Sequence, residues 1–231
     1  MASTPPSQRP VAAATTTAPV KYAVALFPGF QLLDAAGPLD VLAMLSALVP
    51  VEVVILAATL EPVTSRGKRP GSVGQAIVPT HTFDTAPQDI EVLMIPGGGG
   101  TRDDEATQPL VDYAARVYPK LRYFLTVCTG AALAARTGIL DGKKATTNKL
   151  AFDWVMNKGP KVHWVRHARW VSDGNIWTSS GISAGIDMTF GFVAAHYGEE
   201  TAATIAYRQE YTRNTDPNND PFAPDSAQQN Q

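Results

Sequence analysis

The sequence predicts an α/β domain with a mostly parallel sheet that helices cover on both faces. Two observations lead to this prediction. Short apolar runs rich in β-branched and aromatic residues recur along the chain, and stretches with helical spacing lie between them. Strands that alternate with helices are typical of such sheets. The pattern alone identifies no activity, because this layout hosts many unrelated functions.

The predicted elements follow one another along the chain without an internal repeat. The buried strands are 22–27, 51–57, 92–95 and 122–127. The helices among them are 38–48, which has Pro38 near its first turn, 105–118 and 129–136. Farther on, 162–165, 169–172 and 175–179 have the pattern of a hairpin, and 184–197 and 199–211 that of closing helices.

The composition predicts one folded unit between two tails. The chain has 231 residues, of which 45% are hydrophobic and 17% charged, enough to bury a sizeable core. Residues 1–20 are rich in Ala, Thr, Pro and Ser and are predicted to be a disordered tail. Residues 21–215 are the predicted α/β domain, and residues 216–231 a second, mostly disordered tail.

Charge and cysteine content restrict the possible partners. The net charge is −2 with scattered Lys and Arg, so nucleic acid is not an expected partner. No apolar run reaches the ~20 residues of a membrane span, so no membrane contact is expected. A single cysteine and no Cys/His cluster indicate no internal disulfide, no metal site and a cytoplasmic location. A weak organelle-targeting signal in the N-terminal tail is the alternative.

Cys128 is the only cysteine and stands where a predicted strand meets a helix of small residues. This junction places the sulfur over the carboxyl edge of the sheet, the usual ligand crevice of α/β folds. It also turns the sulfur toward a helix N-terminus, a setting that favours the nucleophilic thiolate. The alternative is an inert core cysteine, because free cysteine is among the most buried residue types.

A glycine-rich loop, Ile95-Pro-Gly-Gly-Gly-Gly100, follows the third predicted strand. Without side chains its backbone can approach a ligand closely, and its free N–H groups can hold a developing negative charge. It has neither the Lys-Ser/Thr ending of a phosphate-binding loop nor a dinucleotide fingerprint. The alternative is a simple turn.

Asp34 lies in an apolar segment just ahead of the predicted helix start at Pro38. One interpretation is a helix cap, for which Asp is a common choice. The other is functional, because a desolvated carboxyl group has a raised pKa and can transfer a proton beside a nucleophile.

The four histidines, His81, His163, His167 and His196, do not form an obvious pair with Cys128. A Cys–His hydrolase therefore needs a tertiary contact that the sequence does not show. His163 and His167 fall in the predicted hairpin region, where a surface or interface position is a simpler interpretation than a metal site.

Together these segments resemble the ThiJ/PfpI superfamily, and within it the isonitrile (isocyanide) hydratase branch. The resemblance spans about residues 22–211 in the order of the family. The matching segments are Phe27-Pro-Gly-Phe-Gln-Leu-Leu-Asp-Ala-Ala-Gly-Pro-Leu-Asp-Val-Leu42, Ile95-Pro-Gly-Gly-Gly99, Val127-Cys-Thr-Gly130, Gly138-Ile-Leu-Asp-Gly-Lys-Lys-Ala-Thr-Thr147 and Gly181-Ile-Ser-Ala-Gly-Ile-Asp187.

The resemblance implies a flavodoxin-like three-layer sandwich, a homodimer, a strained nucleophile elbow at the cysteine and no cofactor. In isonitrile hydratases a thiolate attacks the terminal carbon of the isocyanide, and water converts the thioimidate to an N-substituted formamide. The partner it implies is a small-molecule substrate. The implied site residues are catalytic Cys128 (nucleophile), Asp34 (general acid/base) and Thr129, and substrate-binding or oxyanion-binding Gly97, Gly98, Gly99 and Ile182.

Two departures from the family pattern affect what the resemblance implies. Protease-like members have His directly after the cysteine, whereas this chain has Thr129, so peptidase activity is not expected. Bacterial hydratases carry His-Trp after Ala-Thr-Thr, whereas Asn148 and Lys149 stand here, at a segment that borders the pocket in the family. Asn148 as a helix cap is the alternative.

Two other functions stay open on the sequence. One is glyoxalase III-type conversion of methylglyoxal to lactate, although those members usually place Glu at the position of Asp34. The other is a non-catalytic ligand or redox sensor in which Cys128 is oxidised. Regulators of that kind carry a DNA-binding module, for which this chain leaves no room.

Overall fold

A seven-stranded sheet runs through residues 18–223, the part of the chain that the computed structural model describes. The strands, in chain order, are β1 (Lys21–Ala25), β2 (Glu52–Ala57), β3 (Val63–Thr64), β4 (Ala76–Ile77), β5 (His81–Thr82), β6 (Val92–Ile95), β7 (Tyr123–Val127), β8 (Lys144–Ala145), β9 (His163–Trp164), β10 (Trp170–Asp173) and β11 (Ile176–Ser179). The large sheet has the order β10-β11-β7-β6-β1-β2-β5. Its pairings are parallel except that of β10 with β11.

Two groups of helices cover the sheet. The helices are α1 (Leu32–Ser46), α2 (Asp104–Val117), α3 (Gly130–Arg136), α4 (Phe152–Lys158), α5 (Ala184–Tyr197) and α6 (Glu199–Arg208). α1, α5 and α6 pack against one another, and α3 packs against both α2 and α4. This confirms the predicted flavodoxin-like arrangement of a mostly parallel sheet with helices.

The burial of the central strands explains why the sequence predicted them from continuous apolar runs. All of β6, and all but the first residue of β1 and of β7, are buried. A parallel strand between two helical layers has both faces covered, so it is apolar throughout and does not alternate.

The start of the first helix differs from the prediction. The helix begins at Leu32, and Pro38 lies inside it. The added N-terminal turns are held by tertiary packing: a Cβ on Gly37 would come within 2.6 Å of the Ile186 side chain of α5. Close contact between the two helices thus outweighs the local preference of proline for the first turn.

The hairpin prediction is correct for two of its three segments. β10 and β11 pair antiparallel around Gly174, which has a φ of 63°. The 162–165 segment does not join them, because β9 pairs parallel with β8 in a separate small sheet. β3, β4, β5 and β8 were not predicted, since strands of two residues are too short to show a period.

The ends of the chain are described only in part. Residues 1–17 and 224–231, which hold most of the first predicted tail and half of the second, lie outside the described residues. Within 216–223, the carbonyl of Pro217 accepts the N–H of Arg169 at 2.7 Å, and Asp220 is buried. The bounds 21–215 stay a prediction. No helix in residues 18–223 is long and apolar enough to cross a membrane.

Candidate active site

Four neighbouring strands end at one edge of the sheet and bring the separately predicted segments together. Cys128 follows β7, Gly97 comes two residues after β6, Asp34 follows the loop after β1, and Ile182 follows β11. β11, β7, β6 and β1 are consecutive and parallel, so their carboxyl ends share one edge. This edge is where ligands bind in open α/β sheets.

Cys128 has a left-handed backbone, with a φ of 58°, at the turn from β7 into α3. Its N–H donates to the carbonyls of Ser179 and Ser180, both at 3.2 Å. Its carbonyl accepts the hydroxyl of Thr147 at 2.7 Å. A left-handed residue with a side chain is strained and persists only where its surroundings hold it. These contacts hold the elbow through both of its backbone polar groups.

Cys128 is only 5% exposed, and its thiol interacts with one acidic group and two backbone donors. Burial and the negative charge of Asp34 raise the pKa of the thiol to about 12, although the N–H groups of Ile182 and Thr129 act in the opposite direction. The N–H of Thr129 at the start of α3 favours the thiolate, as expected of a helix N-terminus, but the net shift of the thiol pKa is in the opposite direction. Desolvation beside a carboxylate outweighs the two N–H donors.

Asp34 is fully buried in the first turn of α1. Its Oδ2 accepts the N–H of Gly97 at 2.9 Å, and its Oδ1 is buried without a hydrogen bond of regular geometry among the described residues. Burial raises the pKa of the carboxyl group to about 7, against the lowering effect of Gly97 and the Cys128 thiol. The N-cap position belongs to Gln31, so the capping interpretation of Asp34 is wrong.

The two groups titrate as a coupled pair. With the carboxyl pKa at about 7 and the thiol pKa at about 12, Asp34 and Cys128 together hold one proton between these pH values. Moving that proton from sulfur to carboxylate yields a thiolate beside a carboxylic acid with no change in total charge.

The glycine loop packs against the pair and does not leave all its N–H groups free. The N–H of Gly97 donates to Asp34, and that of Gly98 donates to the hydroxyl of Thr129 at 2.9 Å. Gly98 has a φ of 130°, and a Cβ there would lie 2.3 Å from a main-chain nitrogen of the loop after β1. Gly99 is exposed with open space around it. The first two glycines therefore permit close packing of loops, and an oxyanion-binding role stays a prediction.

Thr129 is buried and connects the elbow to the glycine loop. Its Oγ1 also accepts the hydroxyl of Thr101 at 3.2 Å. The hydroxyl is thus occupied within the protein, and it is the main-chain N–H of Thr129 that interacts with the sulfur.

Ile182 is strained as well, with a φ of 45° that is unusual for a β-branched residue. Its N–H interacts with the sulfur of Cys128, while the residue as a whole is 37% exposed. Ile182 therefore combines a main-chain contact to the sulfur with a partly exposed apolar side chain.

His196 and His81 lie away from the thiol. His196 packs against Tyr123 and Phe192, with ring centroids 4.4 and 4.3 Å apart, and its Nε2 is buried without a hydrogen-bond partner in residues 18–223. Tyr123 begins β7, so His196 lies at the opposite end of that strand from Cys128. His81 is on β5, at the far edge of the sheet. In residues 18–223 no cluster of three or more His, Cys, Asp or Glu can hold a metal ion.

A family model described as the DJ-1/PfpI family matches residues 20–195. The chain belongs to the DJ-1/PfpI family. This confirms the resemblance seen in the sequence, since the ThiJ/PfpI proteins are the same superfamily. Isonitrile hydratase from Pseudomonas putida is 35% identical over 202 residues, which cover 87% of this chain and 82% of that protein.

Two further matches have lower sequence identity to this chain. A deglycase from Pyrococcus horikoshii is 30% identical over 120 residues, which cover 52% of this chain and 70% of the deglycase. Among solved structures, a ThiJ/PfpI family protein from Pseudomonas syringae aligns with a TM-score of 0.76 at 29% identity, over 90% of this chain and 82% of that one.

Sequence reasoning missed two threonines of this DJ-1/PfpI site. Thr147 binds the carbonyl of Cys128, and Thr101 binds the hydroxyl of Thr129. Thr147 closes one of the matching segments, so the family resemblance was a signal for it. Thr101 directly follows the glycine loop but offers no pattern of its own.

Proposed function

We propose that this protein is a cofactor-independent cysteine enzyme that hydrates an isocyanide to an N-substituted formamide. The observation that carries the proposal is the buried pair of Cys128 and Asp34, in which Asp34 is, among the described residues, the one acidic or basic side chain that interacts with the thiol. Identity of 35% to isonitrile hydratase over 87% of the chain supports the substrate class.

The first half of the reaction uses the shared proton. Asp34 takes the proton from sulfur, and the sulfur of Cys128 forms a bond to the terminal carbon of the isocyanide. Asp34 then gives the same proton to that carbon, so the product is a thioimidate, R–N=CH–S-Cys128. A carboxyl pKa of about 7 suits both transfers near neutral pH, because neither form of Asp34 is strongly disfavoured there.

The second half consumes water. Asp34, now a carboxylate, takes a proton from a water molecule while the oxygen attacks the thioimidate carbon. Asp34 gives this proton to the nitrogen. The C–S bond then breaks as the hydroxyl oxygen becomes the carbonyl, and the hydroxyl proton passes through Asp34 to sulfur, so that R–NC and water become R–NH–CHO. The N–H groups of Thr129 and Ile182 interact with the sulfur and stabilise its charge as it leaves.

The shape and polarity of the site support an isocyanide over a bulkier or charged substrate. Cys128 is 5% exposed, so a slim group reaches the sulfur more easily than a branched one. The terminal carbon of an isocyanide bears no substituent. Because the molecule is also neutral, it enters a buried site without the desolvation cost of a charge. The apolar side chain of Ile182 suits an apolar R group.

The test is formamide production from cyclohexyl isocyanide by the wild type, Cys128→Ala and Asp34→Asn. Asp89→Asn is a matched control, because Asp89 is an exposed carboxylate paired with Lys21. Formamide from the wild type and the control alone supports the proposal. Formamide from Cys128→Ala, or loss of methylglyoxal in a parallel assay without any formamide, overturns it. The homodimer and the cytoplasmic location stay predictions.

A further inference from the structure

Two buried ion pairs lie between the catalytic edge of the sheet and the C-terminal segment. Lys149 Nζ is 3.4 Å from Asp220 Oδ2, and the side chains are 9% and 0% exposed. Arg169 Nε is 2.6 Å from Asp187 Oδ2, and the side chains are 9% and 1% exposed. Burying charges is costly even when they are paired, so these pairs are weak sources of stability. Their positions suggest another role.

Residues 211–220, here called the C-terminal strap, are tied down by both pairs. The Tyr211 hydroxyl and the Asn214 N–H both donate to Asp187 Oδ1, at 2.9 and 3.0 Å. The carbonyl of Pro217 accepts the N–H of Arg169, and Asp220 at the end of the strap forms the ion pair with Lys149.

One chain of hydrogen bonds runs from the strap to the N–H of the nucleophile. The N–H of Arg169 donates to Pro217 at 2.7 Å, and the carbonyl of Arg169 accepts the N–H of Ser180 at 2.8 Å. The carbonyl of Ser180 in turn accepts the N–H of Cys128 at 3.2 Å. The strap is therefore three main-chain hydrogen bonds away from the elbow.

A second route reaches the carbonyl of the nucleophile. Lys149 Nζ donates to Thr146 Oγ1 at 2.9 Å, to the carbonyl of Ala168 at 2.7 Å and to that of Thr147 at 3.4 Å. The hydroxyl of Thr147 donates to the carbonyl of Cys128. Lys149 thus holds the turn that carries Thr147, and Asp220 supplies the charge that keeps Lys149 buried.

We propose that Lys149 and Asp220 are positioning residues through which the C-terminal strap holds Cys128 in its left-handed conformation, with the sulfur buried against Asp34. A strained residue keeps its conformation only while its surroundings hold it, and here two of the three holding contacts, those of Ser180 and Thr147, lead back to the strap. Without the pair, the elbow relaxes and the sulfur becomes more exposed. The role in turnover rests on the proposed hydratase function, whereas the role in thiol burial does not.

The test measures how fast iodoacetamide alkylates Cys128 over pH 7–11 in the wild type, Lys149→Met, Asp220→Asn and the double variant. Loss of the pair is expected to accelerate alkylation at pH 8 about tenfold or more, because the thiol pKa moves from about 12 toward its ordinary value of 9.0. With an isocyanide substrate, kcat is expected to fall about tenfold and KM to change less.

The double variant separates positioning from simple loss of stability. It has no unpaired buried charge, so it is expected to regain stability over Lys149→Met while its thiol still reacts fast. Tyr22→Phe is the matched control, because the buried Tyr22 hydroxyl bonds to that of Tyr197 at 2.6 Å near the amino end of β1, away from the site.

Alkylation of the double variant at the wild-type rate across the pH range overturns the proposal. Equal acceleration in Tyr22→Phe does so too, since it shows that any destabilisation exposes the thiol. Alkylation needs no isocyanide, so this assay tests the positioning role even if the protein does not hydrate isocyanides.

Discussion

Replacing Asp34 with asparagine keeps the shape of the side chain and removes its charge. The amide oxygen can still accept the N–H of Gly97, which Asp34 Oδ2 accepts at 2.9 Å. The amide nitrogen takes the place of Oδ1, which is buried without a regular hydrogen bond among the described residues. A donor thereby replaces an acceptor beside the sulfur of Cys128.

The effect of Asp34→Asn on stability follows from the raised pKa of the carboxyl group. Burial raises this pKa from 3.8 to about 7, so the unfolded chain ionises more readily than the folded one. The contribution of Asp34 to stability is therefore most favourable below pH 3.8 and is lost as the pH rises through about 7. The full pKa difference between the folded and unfolded states destabilises the folded state by about 4 kcal/mol at pH 8. Because asparagine does not titrate, the variant is expected to be about 2–4 kcal/mol more stable at pH 8 and similar at pH 4.

The chemistry of the variant is expected to change in two opposite directions. The charge of Asp34 raises the pKa of the Cys128 thiol, so removing it lowers that pKa and speeds alkylation at pH 8. Loss of the proton carrier is expected to lower isocyanide hydration by about 100-fold or more. The protein thus becomes more stable and more reactive toward iodoacetamide, yet inactive.

Urea unfolding at pH 4 and pH 8, alkylation and formamide production measure these three effects, with Asp89→Asn as the exposed-carboxylate control. A variant that is less stable than the wild type at pH 8 refutes the burial argument. A thiol that alkylates more slowly refutes the coupling of the two groups.

Three further predictions concern pH and backbone. The kcat/KM for hydration is expected to rise through about pH 7. Below this pH Asp34 and Cys128 are both protonated, whereas the reactive form of the pair holds only one proton. A fall in kcat/KM between pH 6 and 8 contradicts this. Gly98→Ala is expected to lower the free energy of unfolding by about 2–5 kcal/mol, owing to its positive φ and the 2.3 Å contact. Urea midpoints check this against Gly99→Ala, whose Cβ meets open space. Burial lowers the pKa of His196 from 6.5, so the contribution of His196 to stability is present above pH 6.5 and lost as the pH falls. The variant His196→Gln is expected to reduce the change of the urea midpoint with pH between pH 5 and 7. An unchanged slope counts against the argument.

The local sequence pattern was sufficient to predict those elements whose apolar composition marks them as buried. The central strands β1, β6 and β7 are apolar throughout because helices cover both their faces, and α5 was predicted at 184–197, its observed bounds. Cys128 was placed at the strand-to-helix junction for the same reason, since an apolar strand and an alanine-rich helix meet there.

The helix that carries Asp34 illustrates what local pattern misses. Proline at position 38 is a strong local start signal, yet the helix begins at Leu32 because Gly37 allows close contact with α5. The contact partner, Ile186, is far away in the sequence, and no local rule anticipates it.

The sequence by itself determined the fold class, and it singled out the candidate nucleophile and the segments that surround it, because these depend on apolar periodicity and on residues adjacent in the chain. Only the tertiary structure decided the pKa values of Asp34 and Cys128 and which groups accept the N–H groups of the glycine loop. Asp34 and Gly97 are 63 positions apart, and Lys149 and Asp220 are 71 apart, yet each pair is in contact. The pKa of a buried group depends on desolvation and on such distant partners, and both exist only once the chain has folded.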